Sequence, residues 1–193
     1  MMNVNNNKIK KGQNLNLAAD QVRVLSLMDK ICSRSNLNKA YQRVKSNKGG
    51  AGIDGVTIKE LSTWIRHNKE PLIESLLDGS YEPEALKGIK IPKGKGKYRQ
   101  LSIPTLVDRL IQQAILQVLT PLFDPEFSES SFGFRPKRSA HQALKQASNY
   151  VGQGYKVVVD LDLENFFDAV NHDILMSKLA SKIEDKILLK LIR

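Results

Sequence analysis

The run Lys156-Val157-Val158-Val159-Asp160-Leu161-Asp162-Leu163 constrains the fold of this chain more than any other segment. Successive side chains of a strand point to opposite faces, so Asp160 and Asp162 share one face while Val157, Val159, Leu161 and Leu163 share the other. The apolar face calls for a sheet packed on a core. The acidic face sets two carboxylates side by side, where each raises the other's pKa unless a cation or a donor neutralises them. A hard divalent ion with oxygen ligands is the common remedy. An isolated Asp-x-Asp is equally readable as the solvated edge of a sheet, so the rest of the chain must decide.

Thirty Lys and Arg against twenty Asp and Glu give a formal charge of +10 on 193 residues, and the excess is concentrated. Lys87 to Arg99 holds six basic residues and no acid, and Arg135 to Arg138 holds three. Such a surface suits polyanions, because displaced counterions favour phosphate binding and make it strongly salt-dependent. The bland alternative is a solubilising surface. A hydrophobic fraction of 41% is enough for an ordinary core. The lone Cys32 has no partner for an internal disulfide, so nothing points to an oxidising compartment. No stretch approaches the roughly 20 apolar residues of a membrane span, and the Asn- and Lys-rich start of the chain lacks the apolar core of a signal peptide. The expectation is a cytoplasmic protein that associates with nucleic acid and not with membrane.

Periodicity predicts a helix over Leu15 to Cys32, a second over Leu37 to Lys45, and a turn around Gly49 to Thr57. Two further helices follow, Ile58 to His67 and Pro71 to Asp78, the latter ended by Gly79. Ile89 to Ile91 and Tyr98 to Ile103 read as a basic hairpin whose tip is Lys93-Gly94-Lys95-Gly96. A broad apolar face then predicts a helix from Pro104, terminated by Pro121, with Asp108 and Arg109 as a local ion pair on its surface. A helix from Ser139 to Val151 precedes the acidic strand. Asn171 caps a last helix that also takes in Glu184-Asp185. Trp64 reads as core, and His141 and His172 as helix-surface and helix-cap residues.

Four blocks in series resemble the reverse transcriptases encoded by bacterial and organellar group II introns, also called maturases. They are Gly52-Ile53-Asp54-Gly55-Val56-Thr57, Arg99 to Arg109 with its Ile103-Pro104-Thr105, Gly133-Phe134-Arg135-Pro136 with Ser139, and Asp162 to Asp168 continued by Val170-Asn171-His172. The resemblance runs from about Asn36 to Arg193. It implies that Asp162 is a catalytic aspartate and a Mg²⁺ ligand, with the Leu163 carbonyl as a backbone ligand of the metal. It further implies that Arg99 and Lys93 hold the nucleotide triphosphate and that Phe167 packs under the incoming sugar. By their charge Lys95, Lys97, Arg135, Lys137 and Arg138 are expected to meet the nucleic acid, Lys95 and Lys97 being equally readable as solvated charges, with Phe134 expected to pack inside its Gly/Pro-shaped loop. The implied partners are an RNA template or intron RNA, a DNA primer and deoxynucleoside triphosphates.

The fold expected on this basis is an α+β fragment of a right-hand polymerase, with helical fingers carrying a basic β-hairpin and then the start of a palm sheet. Its parts would be an N-terminal extension (1–35), a fingers region (36–155) and the first strand and helix of an incomplete palm (156–193). The family's second palm motif, Tyr-Ala-Asp-Asp, does not occur in these residues. The chain is therefore expected to act as a truncated piece of the enzyme, completed by a further polypeptide or within a homodimer. The alternative is a non-catalytic RNA-binding module. An unpaired palm strand with an apolar face also predicts self-association.

Overall fold

The structure is a computed structural model that describes residues 25–94, 96–163 and 166–193. Its centre is a bundle of helices whose sequence stripes are narrow and apolar. Helix α1 (Leu27–Cys32) is capped by Ser26, whose hydroxyl accepts from the Asp29 N–H while Asp29 accepts from the Ser26 N–H. Met28, Ile31 and Cys32 are its buried residues, and burial, with Asp29 nearby, pushes the Cys32 thiol up to about 11. Helix α2 (Arg34–Ser46) follows at once, capped by Ser33, and buries only Ala40 and Val44. The predicted start of α1 at Leu15 lies outside the described residues.

Helix α3 (Ile58–Asp78) is continuous, in contrast to the two helices expected on either side of Pro71. Pro71 removes one backbone donor but is exposed, and Leu61, Leu72 and Leu76 form a single buried stripe that passes it. Packing of that stripe outweighs the loss of one hydrogen bond. Thr57 and Glu60 set the start of the helix, Glu60 accepting from the Thr57 N–H (2.9 Å) and hydroxyl (2.7 Å). Gly79, at φ +75°, ends it in the left-handed conformation. Helix α4 (Leu106–Phe123) is the most buried, with Leu106, Val107, Leu110, Ile111 and Ala114 inside. It begins one residue after Pro104 at the cap Thr105, and it runs through Pro121 instead of stopping there.

Strands β1 (Lys87–Gly94) and β2 (Lys97–Ile103) form the expected antiparallel hairpin, with Ile91 opposite Arg99 and Ile89 opposite Leu101. Helix α5 (Ala140–Gly152), capped by Ser139 and Gln142, buries none of its residues. The predicted last helix is two: α6 (His172–Ala180), capped by Asn171, and α7 (Lys186–Ile192), capped by Asp185. Asp185 is thus an N-cap and not a mid-helix acid. Its second oxygen accepts the Met28 N–H at 2.9 Å, tying α7 to α1, and Lys190 reaches the Gly79 carbonyl at 2.7 Å. Ile183 and Leu188 complete the core. Among the described residues, none between 125 and 178 belongs to it.

The largest departure from expectation is the acidic run. Lys156 to Leu163 has no regular secondary structure and pairs with no strand among the described residues, and its apolar side chains stand in solvent, Val158 at 86% and Leu161 at 87% exposure. A strand's conformation is fixed by hydrogen bonds to a neighbour and by burial of one face. Here the hairpin β1–β2 is the one sheet described and it lies elsewhere, so neither condition is met.

Candidate functional site

Two of the four sequence blocks meet at the start of α4. Thr105 (1% exposed) accepts the Asp108 N–H at 3.1 Å through its hydroxyl oxygen and donates that hydroxyl to Asp108 Oδ2 at 2.6 Å. The other oxygen of Asp108 accepts the Tyr81 hydroxyl at 2.7 Å. Asp108 is 4% exposed, so it is a buried acceptor bound to two hydroxyls and not a surface partner of Arg109. Burial first, and then the bond to Asp108, pushes the Tyr81 phenol far above its ordinary range. Arg109 turns the other way, to the Gly50 carbonyl. Gly52 is buried against the same cap: a Cβ there would lie 2.6 Å from Thr105 Cα and 3.0 Å from the Pro104 carbonyl oxygen. The Gly52 block and the Ile103-Pro104-Thr105 block are one packed unit. The Thr-x-x-Asp spacing was the available signal for the cap, whereas Tyr81, 27 residues before Asp108, had none.

Asn36 is a second structural residue that periodicity does not reveal. Its amide nitrogen donates to the Ile31 and Ala114 carbonyls, both at 3.0 Å, while Gln117 donates to its side-chain oxygen at 2.7 Å. One side chain thereby joins α1, α2 and α4.

The hairpin carries the residues read as nucleotide-binding. Arg99 lies on the face shared by Ile89, Ile91, Leu101 and Ile103, as the alternation in β2 requires, and it is exposed. Lys97 shares that face, also exposed. Lys93 is skipped by the ladder between Pro92 and Gly94, so it is a bulged residue, a device that re-aims a side chain at a hairpin tip. Lys95 lies outside the described residues.

Asp162 is exposed and, among the described residues, accepts the N–H of the next residue, Leu163, at 2.9 Å. Among the described residues no hydrogen bond or ion pair joins Asp162 to Arg99 or Lys93, and no group of three or more His, Cys, Asp or Glu side chains is placed to hold a metal. The donors here, Asp160 and Asp162 on an unpaired segment, do not by themselves make a Mg²⁺ site, which needs near-octahedral oxygen ligation. Phe167 stands at 87% exposure beside Phe166, their ring centroids 5.5 Å apart. Asp168 lies in a turn and not on a helix.

The Gly133-Phe134-Arg135-Pro136 loop inverts its expected arrangement. The Arg135 side chain is 7% exposed: it donates from Nε to Asp124 Oδ1 (2.9 Å), from Nη1 to the Ser128 (2.7 Å) and Ser131 (3.1 Å) carbonyls, and from Nη2 to the Asp124 carbonyl (2.9 Å). The bond to Arg135 holds the Asp124 carboxyl below its usual range and raises the guanidinium in turn. Arg138 is engaged likewise by the Glu129 carboxylate and carbonyl and lies over the Phe132 ring. Four internal bonds make Arg135 an anchor of the loop, whereas Arg138 makes two, both to the exposed Glu129, and keeps further N–H donors for another partner. Lys137 is exposed and remains available. Phe134, expected to pack, is instead fully exposed.

Residues 91–192 match the family described as "Reverse transcriptase (RNA-dependent DNA polymerase)". The group II intron-encoded protein LtrA of Lactococcus lactis subsp. cremoris is 37% identical over 147 residues, covering 76% of this chain and 24% of that protein. Protein YkfC of Escherichia coli (strain K12) is 34% identical over 170 residues, covering 85% of this chain and 45% of that protein. The mitochondrial nuclear intron maturase 2 of Arabidopsis thaliana is 30% identical over 168 residues, 80% of this chain and 22% of that one. A solved chain titled "Partial Cas6-RT-Cas1--Cas2 complex" superposes with a TM-score of 0.54 at 29% identity, over 88% of this chain and 27% of that one. The chain thus spans less than half the length of these curated relatives. With β2, the Arg135 loop and Asp162 inside the matched residues, this chain belongs to the reverse transcriptase family, among group II intron-encoded relatives.

Proposed function

We propose that the chain supplies the nucleotide-facing part of an RNA-directed DNA polymerase of group II intron type, acting in the cytoplasm on an RNA template or intron RNA with a DNA primer and deoxynucleoside triphosphates. The observation that carries this reading is the exposed basic hairpin, with Arg99 on its apolar face and Lys93 re-aimed by a bulge, in a chain whose family match also takes in Asp162. In this reading Arg99 and Lys93 hold triphosphate, Lys97 and Lys137 meet nucleic acid, Phe167 lies under the sugar, and Asp162 with the Leu163 carbonyl donates to Mg²⁺. The metal would need carboxylates beyond those grouped here. Strands from a second polypeptide or a second copy would pair with residues 156–163 and supply them. When bound, the ion would stabilise charge on the transferring phosphate.

A non-catalytic RNA-binding role is the second reading, favoured by the unpaired state of the acidic run. Primer extension on an RNA template with Mg²⁺ and deoxynucleotides separates the two. The chain alone is expected to extend nothing, and synthesis should appear when a polypeptide carrying the Tyr-x-Asp-Asp strands is added. Asp162→Ala should then abolish it, and Phe167→Ala should admit ribonucleotides. Failure of every complementing polypeptide, with RNA binding intact, would select the second reading. Undiminished synthesis by Asp162→Ala would remove the metal assignment.

A further inference from the structure

A groove of about 960 Å³ lies between α2, α4 and the Arg135 loop, away from the hairpin and from Asp162. Its walls include Lys39 and Arg43 from α2, Gln113 and Gln117 from α4, and Phe134 at its mouth. Asn36, Lys39, Arg43 and Ser46 follow the spacing that puts helical residues on one face. Helix α2 contains no acidic residue, and no ion pair among the described residues engages Lys39 or Arg43. Two like charges four residues apart repel unless an anion lies between them. The acid that lines the groove, Asp124, is already taken by Arg135.

Phe134 adds an independent signal. It has φ +56° and Lys137 has φ +60°, a region that costs a residue with a Cβ. Phe134 is fully exposed, so no packing among the described residues accounts for the conformation. The bonds of Arg135 to Asp124, Ser128 and Ser131 fix the loop around it. Strain held by such over-determined surroundings marks sites where a side chain is presented to a ligand. An exposed aromatic ring beside two cations that no described ion pair engages suits a strand with unstacked bases and a charged backbone.

We infer that this groove is a second nucleic-acid site, in which Phe134 stacks on a base of single-stranded RNA while Lys39 and Arg43 hold the adjoining phosphates. The inference rests on the reading of the chain as an RNA-binding member of its family, and the test keeps the two apart. Fluorescence anisotropy of a labelled adenosine-rich single-stranded RNA is measured against salt for the full chain, Phe134→Ala, Phe134→Trp and Lys39→Gln/Arg43→Gln, each checked for an unchanged melting transition. Phe134→Ala should weaken binding about tenfold or more with the salt slope unchanged, and Phe134→Trp should retain affinity. The double variant should lower the slope of log K against log salt by about 1.4, the value for two phosphate contacts on a single strand. Equal affinity of Phe134→Ala and the parent, or an unchanged slope in the double variant, overturns the inference alone. Absence of RNA binding by the parent overturns it together with the proposed function. A labelled polyglutamate that binds the parent and loses affinity in parallel with RNA would mark the groove as a protein-docking face and overturn it too.

Discussion

Replacing Gly52 by Ala tests whether two blocks of the family pattern are joined by backbone contact. The added Cβ would lie 2.6 Å from Thr105 Cα, 2.8 Å from its nitrogen and 3.0 Å from the Pro104 carbonyl oxygen. These are all backbone atoms at the cap of the most buried helix, so no side chain can swing away to make room. Overpacking of a tight site costs about 1–3 kcal/mol, and a clash with rigid backbone belongs at the upper end, about 3 kcal/mol. For a chain of this length that corresponds to a fall in melting temperature of about 6–12 °C, read by circular dichroism. Gly50→Ala is the matched control, because nothing lies within 4 Å of its Cβ position and its φ is not in the left-handed region. It should shift stability by no more than about 0.5 kcal/mol. A Gly52→Ala protein that melts with the Gly50→Ala control would show that the two blocks are not packed as described.

Tyr81→Phe leaves one buried oxygen of Asp108 without its donor and should cost about 1–3 kcal/mol in a denaturant melt, with the transition slope unchanged. Because the folded state holds the Tyr81 phenol above its ordinary pKa, its contribution is full below about pH 10 and is lost as pH rises further. Ultraviolet titration should accordingly find one of the five tyrosines silent until alkaline unfolding. Cys32, buried and pushed up to about 11, should resist alkylation at neutral pH and react only at the rate of unfolding, and fast labelling of the native chain would contradict its burial. Asp162→Ala should leave the melting transition within about 0.5 kcal/mol of the parent, since its exposed carboxylate bonds, among the described residues, to the adjacent amide alone; a large loss would assign it a structural role.

The helices were legible where spacing and caps agreed: Asn171 before α6 is a cap in both sequence and structure, and the helix expected from Ser139 starts one residue later with Ser139 as its cap. The hairpin was legible from its turn glycines, since Gly94 and Gly96 both take positive φ. Pro71 and Pro121 misled, because a single lost donor was weighed as a break although the buried stripe of α3 continues past Pro71 and partly buried residues of α4, Val118, Leu119 and Phe123, pack on the core on either side of Pro121. The acidic run reads as a strand because side-chain preference is local, whereas the partner that makes a strand is not. In the Arg135 loop, composition named the charged residues correctly but not their direction. A guanidinium can satisfy several carbonyls at a tight turn, and a phenyl ring cannot, so the arginine goes in and the phenylalanine out.

The bond from Met28 to Asp185 spans 157 residues, and Ile183 and Leu188 close the core over α1. During synthesis α1 leaves the ribosome long before α7 exists, so although α2, α3 and α4 can pack on it early, the part of its face that residues 183–192 cover stays open until they have been made. A nascent chain arrested before Ile183 should therefore bind chaperones that a slightly longer one releases.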